Sequence, residues 1–213
     1  LWPDYKQKLA FVNLGPRLCL QKCRQIRVFF EVSMLIERGE SQLLVVDAQE
    51  RLAPAIADGV AVEREIGILL DAARELSVPV IVSEQYRKGL GHTLPGLMAR
   101  IDGIQPIEKM EFSCFANGDL HAALTAETRR GTIICGMEAH VCVLQTALEM
   151  HKAGLKVHVV ADAVGSRCPD SHQVALERMR AAGIDVVTTE MVLFEWLRTA
   201  AAPEFKAVSK LIR

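Results

Sequence analysis

The sequence predicts a doubly wound α/β domain, a mostly parallel six-stranded sheet with helices on both faces, and three observations predict it. Its strand candidates are short continuous apolar runs, as strands buried on both faces require. Segments of helical period separate them, and Gly154 and Gly183 stand where two of those helices must stop.

Leu43 to Val46 reads as the first strand and ends on Asp47. Residues 60 to 76 then place Val60, Ile66, Leu69, Leu70, Ala73 and Leu76 at helical spacings. Val78 to Val82 is the second strand. The Gly- and Pro-containing stretch from Glu84 to Pro106 is a long excursion before Ile107 leads into Lys109, and long loops in compact domains often form sites. Asn117 or Asp119 caps a helix through Thr128. Thr132 to Cys135 follows as a strand, and Gly136 begins the turn into a helix over 139 to 153. Lys156 to Ala161, residues 171 to 182 and Ile184 to Val187 repeat strand, helix, strand. A helix around Val192 to Leu197 and a short amphipathic piece after Pro203 pack the sheet edge or a partner.

The chain has 213 residues, enough for one substantial core. Half of it is hydrophobic, yet charges interrupt every apolar run well before a membrane-spanning length, so no membrane partner is expected. The 25 Lys and Arg nearly balance the 26 Asp and Glu; this charge offers no broad attraction for phosphate backbones, and the expectation is no nucleic acid. Cys19, Cys23, Cys114, Cys135, Cys142 and Cys168 form no disulfide framework or zinc-ligand pattern, which fits a reducing, cytoplasmic environment. Residues 1 to 33 differ in kind. They are basic, lack the apolar run and cleavage site of a secretory signal, and read as an atypical extension that leaves organellar targeting open; residues 34 to 213 form the domain.

Three residues stand out for chemistry. Asp47 lies at the carboxyl end of the first strand, where doubly wound sheets place ligand sites, although capping the next loop would explain it equally well. Cys142 lies just beyond the strand TIIC, near a helix start whose amide dipoles favour a thiolate. A buried small hydrophobe is its ordinary alternative. Lys109 follows another short strand; beside the other two it would favour a thiolate and orient the carboxylate, and otherwise it is a solvated lysine. His140 is two residues from Cys142, a spacing that does not share a helix face. Cys135 reads as core, and Cys114 as a possible lining residue near Lys109. With neither a G-x-G-x-x-G after the first strand nor a P-loop, no cofactor is expected.

DAQERL, SEQYRKGLG, EKMEFSCF and CGMEAHVCVLQTALEM, in that order, resemble the isochorismatase-like cysteine hydrolases, particularly the isochorismatase-domain-containing proteins related to nicotinamidases. The resemblance spans about Met34 to Arg213. It implies an Asp47, Lys109 and Cys142 catalytic set, a cis peptide between Met137 and Glu138, an oxyanion hole from the backbone N–H groups of Glu138 and Cys142, and a homo-oligomer. Metal-bearing nicotinamidases carry Asp-x-His after the second strand, where this chain has Glu84 and Gln85, so no metal is expected. Glu84, Tyr86, His92 and Phe112 are substrate-binding candidates. The function implied is hydrolysis of an amide or related C–N bond of a small molecule through a thioester. The alternatives are isochorismate-type vinyl-ether hydrolysis and a catalytically silent interaction protein.

Overall fold

A computed structural model of the protein describes residues 35 to 101, 103 to 126 and 129 to 213. The basic extension with its two cysteines, and the expected helix end at Thr128, lie outside the described residues. Leu35 to Arg213 forms one compact unit.

Its elements run in order as β1 (Ser41–Val46), α1 (Gly59–Glu75), β2 (Val80–Gln85), α2 (Arg87–Leu90), α3 (Pro95–Met98), β3 (Ile107–Lys109), α4 (Gly118–Ala126), β4 (Gly131–Met137), a π-helical turn (Ala139–Val143), α5 (Leu144–Lys152), β5 (Lys156–Gly165), α6 (Pro169–Ala181), β6 (Asp185–Val187), α7 (Thr189–Leu197) and α8 (Phe205–Val208). The strands form one six-stranded sheet in the order β3-β2-β1-β4-β5-β6, and every pairing is parallel. This is the doubly wound arrangement that the apolar runs predict.

Strand alternation explains how one strand serves two cores. Leu43 and Val45 pack on one side of β1 with Ile66, Leu69 and Leu70 of α1 and Val192, Leu193 and Trp196 of α7. Leu44 and Val46 pack on the other side with Leu120 of α4, Met150 of α5 and Leu176 of α6. All six residues of β1 are buried. Val60, expected on the apolar stripe of α1, is 85% exposed while Val62 is buried. Two residues apart on a helix means opposite faces, and Val62 is the one in line with Ile66.

The chain reverses its winding between β1 and β4, and the crevice outside the strand ends at such a switch point is the favoured ligand position. Gly136 sets the spacing there. It has φ +121°, and a Cβ built on it would lie 2.0 Å from the carbonyl oxygen of Val46, so no side chain fits between the strands. Gly154 and Gly183 end α5 and α6 at positive φ, as their places in the sequence predict.

Candidate active site

β1 delivers Asp47 to the switch point, where the chain turns sharply at φ +48°, a left-handed conformation that Asp tolerates better than most side chains. β3, two strands away, delivers Lys109, and the π turn after β4 delivers Cys142. Lys109 Nζ donates to Asp47 Oδ2 at 2.7 Å, and neither side chain is exposed. The same ammonium donates to Gln85 Oε1 at 2.6 Å and to the carbonyl oxygens of Glu111 and Phe112 at 3.2 Å. Burial would lower the Lys109 pKa; the Asp47 carboxylate more than offsets this and holds it above the ordinary lysine value. A buried ion pair is tolerated when its members make further hydrogen bonds, as the Lys109 ammonium does here with Gln85 and the two carbonyl oxygens.

The Cys142 thiol is buried beside Asp47, close enough for the carboxylate to act on its acidity. Its environment differs from the sequence expectation of a stabilised thiolate. Burial pushes the thiol up, the Asp47 charge pushes it further, and Lys109 opposes them without prevailing. The regular helix expected from residue 139 begins instead as a π turn, with the Val143 N–H donating to Glu138 O at 3.2 Å. Such turns occur often at functional sites. The cluster is therefore a neutral thiol beside a paired carboxylate, able to give up its proton when a reaction makes sulfur a better acid.

Next to it, the Met137–Glu138 peptide is cis. The Glu138 side chain is tied down, its Oε1 accepting from the Arg167 backbone N–H at 3.1 Å and from Arg167 Nε at 3.0 Å. His140 points elsewhere, with Nδ1 2.9 Å from Ser166 Oγ.

Of the four substrate-binding candidates one is buried and three are exposed. Glu84 is buried with both oxygens engaged: Oε1 accepts from the Thr93 N–H and Oγ1 at 2.7 Å, and Oε2 accepts from Arg87 Nε. Burial would raise its pKa, but these Thr93 and Arg87 contacts hold it below the usual glutamate value. His92 Nδ1 lies 3.9 Å from Glu84 Oε2, with a largely exposed ring. Tyr86 and Phe112 are exposed, and only the Phe112 carbonyl reaches the Lys109 ammonium. Among the described residues no three His, Cys, Asp or Glu side chains gather as a metal-binding set, and no helix is long and apolar enough to cross a membrane.

Residues 41–191, which contain the whole cluster, match the family model of the isochorismatase domain. The chain belongs to this family. Isochorismatase domain-containing protein 2 of Danio rerio is 38% identical over 172 residues, covering 81% of this chain and 86% of that protein. The structure of the MAR1 ribonuclease of Caenorhabditis elegans is 38% identical, covers 84% of this chain and 92% of its own, and superposes with a TM-score of 0.79. The YcaC gene product of Escherichia coli, an octameric hydrolase of unknown specificity, is 25% identical with a TM-score of 0.80, covering 84% of this chain and 89% of its own.

One sequence expectation is overturned by these relatives. A near-zero net charge suggested no nucleic acid, yet an isochorismatase-fold protein this similar is a ribonuclease. Net charge is a sum over the whole surface, whereas phosphate binding needs only a local basic patch, so the sum carried no such exclusion.

The isochorismatase-domain site also contains residues that sequence reasoning missed. Ser83 Oγ donates to Asp47 Oδ1 at 2.7 Å, and Gln85 receives the Lys109 ammonium. Gln49 fixes Gln85 in turn, its Oε1 accepting from the Gln85 N–H at 2.8 Å and its Nε2 donating to Gln85 O at 3.1 Å. The available signal was alternation: Ser83 and Gln85 share one face of β2, and Glu84 takes the other.

Proposed function

We propose that this isochorismatase-domain protein is a cysteine hydrolase that cleaves an amide or related C–N bond of a small molecule. The observation that carries the reading is the buried Asp47–Lys109 ion pair with the Cys142 thiol buried beside its carboxylate. In this reading Asp47 takes the thiol proton as Cys142 Sγ attacks the substrate carbonyl carbon. The tetrahedral oxyanion is received by the backbone N–H groups of Glu138 and Cys142, where developing charge is bound more tightly than the starting carbonyl. Collapse breaks the C–N bond, and the amine leaves with the proton held by Asp47. Water then gives a proton to Asp47 and attacks the thioester, releasing the acid and restoring the thiol. Lys109 holds the Asp47 carboxylate in place throughout by its hydrogen bond to Oδ2.

A screen of small amides, read by intact mass and peptide mapping, tests this. An acyl adduct on Cys142, with turnover falling on the order of 10⁴-fold in Cys142→Ala, is the expected result. An adduct on another residue, with activity surviving in Cys142→Ala, would sink the mechanism.

RNA is the second reading, favoured by the 38% identity to the C. elegans MAR1 ribonuclease. Cleavage of RNA by the purified chain that is unaffected by Cys142→Ala would favour it over the thioester route. We also propose a homo-oligomer, on the likeness to the octameric E. coli hydrolase. A monomeric mass by light scattering across a wide concentration range would reject that.

A further inference from the structure

Two polar side chains lie against the Asp47–Lys109–Cys142 cluster with no part in the mechanism above. Ser83, at the carboxyl half of β2, and Cys114, in the short 3-10 turn Cys114–Ala116, are both fully buried. Cys114 Sγ lies 3.4 Å from Ser83 Oγ, Ser83 Oγ lies 2.7 Å from Asp47 Oδ1, and the Cys114 N–H is held by Thr146 Oγ1 at 2.8 Å.

The proton directions in this chain follow from chemistry. An ionised carboxylate only accepts, so the Ser83 hydroxyl must spend its single proton on Asp47. Its oxygen is then free to accept. Burial pushes the Cys114 thiol up to about 11, so at neutral pH it keeps its proton and supplies that bond. The chain therefore runs one way, from the Cys114 S–H to the Ser83 O–H to Asp47 Oδ1, while Lys109 holds Oδ2.

We infer that Ser83 is a positioning residue for the reaction: it fixes the plane of the Asp47 carboxylate and sets how readily Asp47 accepts the Cys142 proton, with Cys114 behind it fixing the direction of the Ser83 hydroxyl. The inference rests on the reading of Asp47 as the base. A hydrogen bond to the charged form of an acid favours that form. Ser83 thus stabilises the charged carboxylate at Oδ1 while Lys109 holds Oδ2, and the group that exchanges a proton with Cys142 and the departing amine is kept in one orientation. The other titratable groups facing Asp47 are Lys109 from β3, Cys142 from the π turn and Cys114 from the 3-10 turn; Glu84, the neighbour of Ser83, faces Thr93 and Arg87 across the strand.

Alkylation of Cys142 by iodoacetamide reads the inference without a substrate. Sulfur displaces iodide while its proton passes to Asp47, so the rate at Cys142, followed by peptide mass spectrometry of the full chain, falls on the acid side once the proton acceptor is lost. Ser83→Ala should move this acid limb upward by roughly one to two pH units, the loss expected for a hydrogen bond to a charged group. Ser83→Thr, which keeps the hydroxyl, should bring the limb back to the wild-type position. Cys114→Ala should move it upward by less, and Cys114→Ser, which keeps a donor, should leave it in place. Thermal midpoints recorded alongside separate a merely structural role, which would lower the midpoint and leave the limb still.

A Ser83→Ala limb that coincides with wild type overturns the inference. If Ser83→Ala is not recovered folded, the Cys114 pair decides: an unmoved Cys114→Ala limb overturns it, and an upward one with Cys114→Ser in place supports it. Failure of the functional reading looks different, because there wild-type Cys142 would show no selective alkylation and no acid limb.

Discussion

Asp47 and Glu84 are carboxylates on adjacent strands, both essentially inaccessible to water and each paired with a cation, yet their surroundings give them different work. Asp47 is paired with a lysine as buried as itself and also acts on a thiol. Glu84 is paired with Arg87, whose side chain is about a third exposed, and its other oxygen takes two bonds from Thr93. One cluster sets a carboxylate beside a thiol, as the proposed reaction needs; the other closes a loop. The pleat of β2 separates them, sending Ser83 and Gln85 to the first and Glu84 to the second.

The contrast can be broken most severely at Lys109. Lys109→Met should cost about 3–5 kcal/mol in urea unfolding, because it leaves a buried carboxylate without its counter-charge. A loss below about 1 kcal/mol would mean that water reaches Asp47. Glu84→Gln should cost less, about 1–3 kcal/mol, from weakened charge-assisted bonds to the loop. Its cost depends on pH in a fixed direction. Because the folded pKa of Glu84 is lowered, its contribution is complete above the unfolded value of about 4.3 and is lost as pH falls through the folded value. The stability gap between wild type and Glu84→Gln should therefore be flat near neutrality and close in acid; a gap that widens in acid contradicts the assignment. Alkylation of Cys142 should change little in this variant, while amide hydrogen exchange over residues 87 to 94 should quicken.

Arg87→Met sharpens the comparison, with an expected cost of about 1 kcal/mol, since a partly exposed cation is already screened by solvent. Smallest is His140→Ala, which should leave Cys142 alkylation within about threefold of wild type, the imidazole being engaged with Ser166. A hundredfold loss there would return His140 to the catalytic machinery.

The sequence made some of this legible and hid the rest for identifiable reasons. β1 and its terminal Asp47 were readable because every residue of the strand is buried. β2 was read as stopping at Val82 because Ser83, Glu84 and Gln85 are polar; it runs on to Gln85 because those side chains bond to one another's neighbours instead of to water. β5 was read as ending at Ala161 and reaches Gly165 through a register slip opposite Ile134 to Gly136, which no apolar run signals. The helix over 139 to 153 was expected to favour a thiolate at Cys142. Helix position is visible in a sequence, but the depth at which the thiol is buried beside a carboxylate is a tertiary fact.

Gly136 carries a consequence for anyone redesigning the site. It lies inside β4, and codon 136 cannot be randomised with its neighbours. Even a methyl group there would wedge β1 from β4, the two strands whose ends carry Asp47 and the turn bearing Cys142. A library that includes this position would sample the gap between Asp47 and Cys142 before it sampled any new specificity.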